Sequence, residues 1–252
     1  MVTTGVRVVK ARVVFRGPGL QVNGLEAVPE GLWASDQRNN RTYLIDYTGK
    51  TLTSFASPAR NASGTSFGAE SVWVASNVRP AMVFRHEPHS GHCTACLILP
   101  QAEQGGVHGI QWRPYEAGEP ATGGAAAAPP VEAFPNAPAG KLNAGPGVSG
   151  TLWVTRPGMR AIDHLDAETG EAIGRIPFPA PRSHGLFWDD QDGTLSVVET
   201  NHNHVYRLNP KTGEVLDEWR IEGVEAHAMT RSQDGRIWVG DASTNEVAIV
   251  EP

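Results

Sequence analysis

The most restrictive feature of this sequence is a beat of about forty residues. A Ser/Thr-Gly pair falls at Thr48-Gly49, Ser90-Gly91, Thr169-Gly170 and Thr212-Gly213. A strand-like segment recurs at Trp33, Trp73, Trp153 and Trp238, with Ser196 in the equivalent place of one unit. The steps are 40–43 residues, apart from a doubled step between Trp73 and Trp153. A period of that length, built from short strands and tight turns, predicts an all-β fold, a single β-propeller with blades of four strands each. Helical repeats would need apolar residues at i, i+3 and i+4. Here they alternate, as in Val205-Tyr206-Arg207-Leu208 and Ile237-Trp238-Val239.

One blade can be read in full, with strands at about 184–188, 194–199, 204–208 and 214–221. Asp192-Gly193 makes its first turn and Asn209-Pro210-Lys211-Thr212-Gly213 its last, with proline setting φ and glycine free to take φ > 0. The last unit, from His227, supplies three strands before the sequence ends at Pro252. The β-rich N-terminal run Val6–Phe15 can add the fourth strand and so remove an exposed sheet edge. The doubled step contains an Ala/Gly/Pro-rich stretch, 113–149 at its widest, with little strand pattern. Read as an insertion between the first two strands of one blade, it gives five blades. Read with Asn143 opening a separate degenerate unit, it gives six. Five is the favoured count, because Leu142-Asn143-Ala144-Gly145-Pro146-Gly147 is a poor strand.

Within the beat, a short phrase opens with histidine: His108-Gly109-Ile110-Gln111-Trp112, His184-Gly185-Leu186-Phe187-Trp188 and His227-Ala228-Met229-Thr230. In a four-stranded meander the start of the first strand and the end of the second lie on one face, near the axis. The first position delivers Asn23, Thr65 or Ser66, His108, His184 and His227. The second delivers Asp36, Ser76 or Asn77, Arg156, Glu199 with Asn201, and Asp241. Convergent polar groups on a rigid frame are what a binding site requires. Three histidines beside carboxylates suit a first-row divalent metal, of a kind the sequence does not distinguish, with His108, His184 and His227 as ligands. Such an ion would acidify a bound water or polarise a carbonyl. Without it the histidines could serve as general acid and base. Glu199 or Asp241 would then accept a proton or orient a histidine. Asn23, Asp36, Thr65, Asn77 and Asn201 are candidate substrate contacts. Arg156 is a further candidate, with a structural ion pair to Glu199 or Asp241 as its bland alternative.

A second cluster, His86-Glu87-Pro88-His89-Ser90-Gly91-His92-Cys93-Thr94-Ala95-Cys96, contains HxxHxxH and CxxC. The repeat aligns it with the turn at Asn209–Gly213, on the face away from the first set, so an exposed turn is expected. His202 and His204, in the loop after Glu199, are reserve contacts. The formal charge of −6 and the lack of a basic cluster argue against nucleic acid. No apolar run approaches the ~20 residues of a membrane span, and the N-terminal valines are interrupted by Arg7, Lys10 and Arg12. Two cysteines make no disulfide framework, and the cytoplasm is the expected compartment.

The units from His184 and His227 resemble the blade repeat of streptogramin (virginiamycin B) lyase-like propellers, with motifs shared by gluconolactonase-like propellers. The resemblance rests on Ser183-His184-Gly185, Asp234-Gly235-Arg236-Ile237-Trp238-Val239 and Asn245-Glu246-Val247. It covers most of 184–252 and is fainter over 23–85. It implies a metal-dependent elimination with His227 or His184 as base, although those lyases carry more blades than this chain has room for, and their antibiotic substrate is not carried over. Two functions are therefore expected. One is a metal-dependent lyase or hydrolase acting on an ester, lactone or related small carbonyl compound at the axis. The other is a noncatalytic propeller that binds a protein or sugar partner.

Overall fold

The computed structural model describes residues 5–115 and 148–251. Three antiparallel meanders form separate four-stranded sheets. The first is β2 (Val22–Val28), β3 (Gly31–Asp36), β4 (Arg41–Ile45) and β5 (Thr51–Ala56). The second is β6 (Ala62–Gly68), β7 (Ser71–Ser76), β8 (Met82–His86) and β9 (Cys93–Ile98). The third is β10 (Ile110–Arg113), β11 (Thr151–Arg156), β12 (Ala161–Asp166) and β13 (Ala172–Pro177). An eight-stranded sheet joins β14 (Ser183–Asp189), β15 (Thr194–Glu199), β16 (His204–Leu208) and β17 (Val215–Glu222) to β18 (Ala226–Arg231), β19 (Ile237–Asp241) and β20 (Glu246–Glu251). The join is β1 (Arg7–Arg16), antiparallel to β20 and parallel to the end of β17. The N-terminal strand thus covers what would be the free edge of β20. Inside the third sheet β10 pairs directly with β11, Ile110 opposite Val154, so the long Ala/Gly/Pro-rich stretch lies between two paired strands. The alternative unit opening at Asn143 falls outside the described residues.

The turns follow from their residues. Between third and fourth strands, a side-chain acceptor takes backbone N–H groups two to four residues on, and a glycine then turns left-handed. Asp46 accepts from Thr48 and Lys50 with Gly49 at φ 96°, Asp166 from Glu168 and Thr169 with Gly170 at 77°, and Asn209 from Lys211 with Gly213 at 75°. The second strands, buried along their length in β3, β7, β11 and β15, carry large apolar groups into the spaces between sheets. Trp33 packs in a core with Val72, Phe84 and Cys96 of the next sheet, and Trp238 packs with Leu25 and Leu32 of the first. Where Ser196 replaces tryptophan, Phe187 and Trp219 of the same sheet fill the core against Met229 and Val239. Among the described residues no helix is long and apolar enough to cross a membrane.

The inner strands β2, β6, β10, β14 and β18 pack on one another in sequence, and β18 returns to β2. They come too close for side chains. A Cβ on Gly64 would lie 2.3 Å from the His108 carbonyl oxygen, and one on Gly109 would lie 2.3 Å from that of His184. The Gly64 N–H uses this approach to donate to His108 O at 2.5 Å. Further out, asparagines in the left-handed region latch one meander to the next. Asn40, Asn203 and Asn245, at φ 53°, 57° and 61°, accept the backbone N–H of Ala62, Ala226 and Val22 at 3.0, 3.0 and 2.9 Å. Asn245 also donates to the carbonyls of Gly17 and Gly19, tying the C-terminal meander to the chain that leaves β1. Asn245→Ala strands one N–H and two carbonyls and should cost about 2–3 kcal/mol in urea unfolding. A loss below the error of the extrapolation would remove this latch from the account of ring closure.

Candidate functional site

The register of the inner strands places two rings of side chains at opposite ends of the axis. The residue before each close-packed glycine or alanine belongs to one end: Asn23, Ser63, His108, His184 and His227. In the second unit this is Ser63 and not Thr65 or Ser66, because Gly64 makes the contact with β10. Thr65 is buried, with its hydroxyl bonded to Ser35, and lines the narrow void between the two rings. The three histidines do meet, with ring centroids 4.3 Å apart for His108 and His184 and 5.2 Å for His184 and His227. The buried Nδ1 atoms of His108 and His184 have no hydrogen-bond partner. Burial, together with charge on neighbouring histidines and Arg182, pushes the His108 pKa down to about 4 and that of His184 to about 2; burial lowers His227 as well. At neutral pH the column is therefore uncharged. Among the described residues no three His, Cys, Asp or Glu side chains are grouped as a metal ion would require.

The carboxylates expected beside this column serve their own loops. Asp36 accepts N–H bonds from Gln21, Arg38 and Asn39 at 2.7–2.9 Å, and another from Leu20. Glu199 accepts from the N–H groups of Asn201 and His202 and from His202 Nδ1. Asp241 accepts from Ser243, Thr244 and Glu225. Arg156 is fully buried, paired with Asp163 at 3.3 Å and donating to the carbonyls of Pro100 and Gln101, so its partner is neither Glu199 nor Asp241. Asn77 donates its N–H to Arg60 and Asn61, and the exposed Asn201 bonds Arg182. Asn23 is buried beside an axial void of only about 10 Å³, too small for more than a water. His204 bonds Glu218, and His86 is held between Ser57 and the Gly91 carbonyl, apart from exposed His89 and His92.

Past an apolar layer of Leu25, Ile110, Leu186 and Met229, the residues two after the close-packed position form the second ring: Glu26, Ser66, Gln111, Phe187 and Thr230. Glu26 is 7% exposed. Gln111 Nε2 donates to it at 3.1 Å, with the Ser66 and Thr230 hydroxyls at 3.4 Å. Burial outweighs these bonds and pushes its carboxyl up to about 8, so the group is mainly protonated at pH 7. It lies at the floor of a cavity of about 350 Å³ walled by Trp188, Asp189, Gln191, Arg231 and Ser232. Arg231 is paired with Asp189 across that wall, and Arg113 lies 4.1 Å over the Trp188 ring. A carboxyl poised near neutrality in a cleft is a competent proton donor and acceptor. Sequence reading missed Glu26, although the repeat marks it: it is the one acidic residue at its position among Ser, Gln, Phe and Thr.

Sheets stacked face to face about a narrow axis make this chain a β-propeller, and solved structures of that class match it over most of its length. The glutaminyl cyclase of Myxococcus xanthus superposes with a TM-score of 0.68 at 11% identity, over 98% of each chain. A streptogramin B lyase gives 0.54 at 16% identity, over 96% of this chain and 97% of its own. A catalytically inactive virginiamycin B lyase from Staphylococcus aureus, solved with quinupristin, gives 0.50 at 17% identity over 92% of this chain and 66% of that one. At these identities the likeness establishes the fold, and the resemblance to lyase-like propellers holds at that level. No protein-family model and no curated relative matches the chain.

The raised pKa of Glu26 sets the sign of a pH effect. The folded protein holds the proton up to about pH 8, whereas the unfolded chain releases it near 4.5. The stability this group contributes is full below 4.5 and is lost as pH rises through 8. Glu26→Gln should therefore melt at a higher temperature than the native protein at pH 8 and at nearly the same temperature at pH 4. Equal melting at both would mean that Glu26 ionises normally.

Proposed function

We infer that this chain is a five-bladed propeller, closed by β1, that works as an enzyme at the Glu26 end of its axis. The reaction that fits best is intramolecular acyl transfer, in which an N-terminal glutaminyl residue closes onto its own α-amine. The observation that carries the reading is a buried, mainly protonated carboxyl at the floor of an axial cleft. The glutaminyl cyclase that matches 98% of the chain supports the choice of reaction.

Such a closure needs one group that can give and take a proton. The α-amine nitrogen attacks the side-chain amide carbon, and a C–N bond forms as the C=O π bond opens. The Glu26 carboxyl gives its proton to the departing amide nitrogen, the C=O π bond re-forms as the C–N bond to it breaks, and ammonia leaves. The carboxylate then takes the proton lost by the attacking nitrogen, so Glu26 ends as it began. Gln111, donating to Glu26 Oε1, holds the carboxyl in place. Exposed Asp190 at the rim supplies negative charge for an amine-bearing substrate. Incubated with a peptide that begins with glutamine, the native protein should release ammonia, and Glu26→Gln should turn over at least a hundredfold more slowly while remaining folded. Unchanged turnover in that variant would overturn the reading.

A second reading keeps a metal-dependent lyase or hydrolase at the histidine end, with a divalent ion on His108, His184 and His227. The two unpartnered Nδ1 atoms favour it. The ring placement does not, since among the described residues no three such donors converge as a metal requires. Metal analysis of untagged protein separates the readings. About one ion per chain, lost in His184→Ala, would move the chemistry to the histidine end; no bound ion in the native protein would leave the column as packing.

A further inference from the structure

A second groove lies outside the axial cleft. It lies between the first two meanders, on the end of the propeller where Glu26 sits, and measures about 610 Å³. Val28, Trp33, Leu44 and Phe67 make its apolar floor. Three carboxylates, Glu30, Glu70 and Glu87, stand on its rim. Glu30 and Glu70 are exposed, and no cationic side chain pairs with either among the described residues. The Glu87 carboxylate accepts the N–H groups of His89 and Ser90, so its charge is fixed at the rim. Among the lining residues the only base is His89, which is exposed. An apolar trough with a one-sided negative rim is complementary to a segment that has apolar and basic side chains side by side.

We propose that this groove binds a polypeptide segment in which lysine or arginine flanks an apolar residue. β2 links the groove to the cleft. Glu26 and Val28 lie two positions apart on that strand, about 7 Å. A peptide whose first residue reached Glu26 would bring its next few residues into the groove. The inference deepens the Glu26 reading by making the substrate a polypeptide with a basic, apolar continuation, yet the groove can be tested without turnover.

The experiment measures fluorescence anisotropy of two labelled peptides, both acetylated and without an N-terminal glutamine. One alternates leucine with lysine, the other leucine with glutamate. The native protein should bind the first and not the second. The double variant Glu30→Gln, Glu70→Gln should weaken binding of the first by about fivefold or more. Both positions are exposed, so its melting curve should stay within a degree or two of the native one, as is usual for surface changes. Glu26→Gln should bind as the native protein does, which keeps failure of the catalytic reading separate from failure of this one. No binding of the lysine peptide, equal binding of both peptides, or undiminished binding by the double variant would overturn the groove as a peptide site.

Discussion

The structure depends on how closely the inner strands β2, β6, β10, β14 and β18 can approach a common axis. Each strand is flanked on both sides by others, and the backbone contacts leave no room for a side chain at Gly64 or Gly109. That approach makes the two ends of the axis what they are. It pushes the residue before the contact out at one end and the residue two positions after it out at the other. One short phrase, repeated at successive strands, therefore builds two separate rings. Between them lies an axial void of only about 10 Å³. The asparagine latches, with Asn245 bonding to Val22, Gly17 and Gly19, hold the last meander in register with the first. Without them the axial contacts would have to resist loosening by themselves.

The two rings differ in what burial does to them. At the histidine end, loss of water removes charge from bases, and a neutral column of rings tilted by 34° and 45° results. Neutral imidazoles pack as aromatic surface, which lets three of them share a small space, with the Glu225 carboxylate 3.6 Å from His227 at one end. At the other end, loss of water keeps a proton on an acid. A carboxyl kept protonated by burial makes the folded state less stable as pH rises through neutrality. Gln111, Ser66 and Thr230 each bond to Glu26 from a different meander or unit, so its position is set by the whole ring. The paired Arg231 and Asp189 limit how far charge from the cleft wall reaches the carboxyl. The groove at Phe67 and Val28 opens on the same end, beside the protonated carboxyl.

Much of the architecture was legible from the residues because its signals are local. Alternating apolar residues, Asp-Gly and Thr-Gly turns and the forty-residue beat mark strands and their boundaries within a few positions; the blade read as 184–188, 194–199, 204–208 and 214–221 has strands at Ser183–Asp189, Thr194–Glu199, His204–Leu208 and Val215–Glu222. The meeting of His108, His184 and His227 was legible for the same reason, since equal repeat positions reach equal places around an axis. The roles of Glu199, Asp241 and Arg156 were not. Their distance along the chain from the histidines says nothing about which way each side chain turns, and all three are held by nearby loop N–H groups, an acid or carbonyls. Glu26 escaped notice because a lone glutamate in a strand carries no motif. Only the closed ring removes its water, aligns Gln111 on its oxygen and opens a cleft above it. Sequence by itself determined the strands, the turns and the symmetry that gathers residues at the axis. Tertiary structure decided which gathered residue keeps a proton at neutrality, because desolvation and hydrogen-bond geometry are properties of the packed ring and of no single segment.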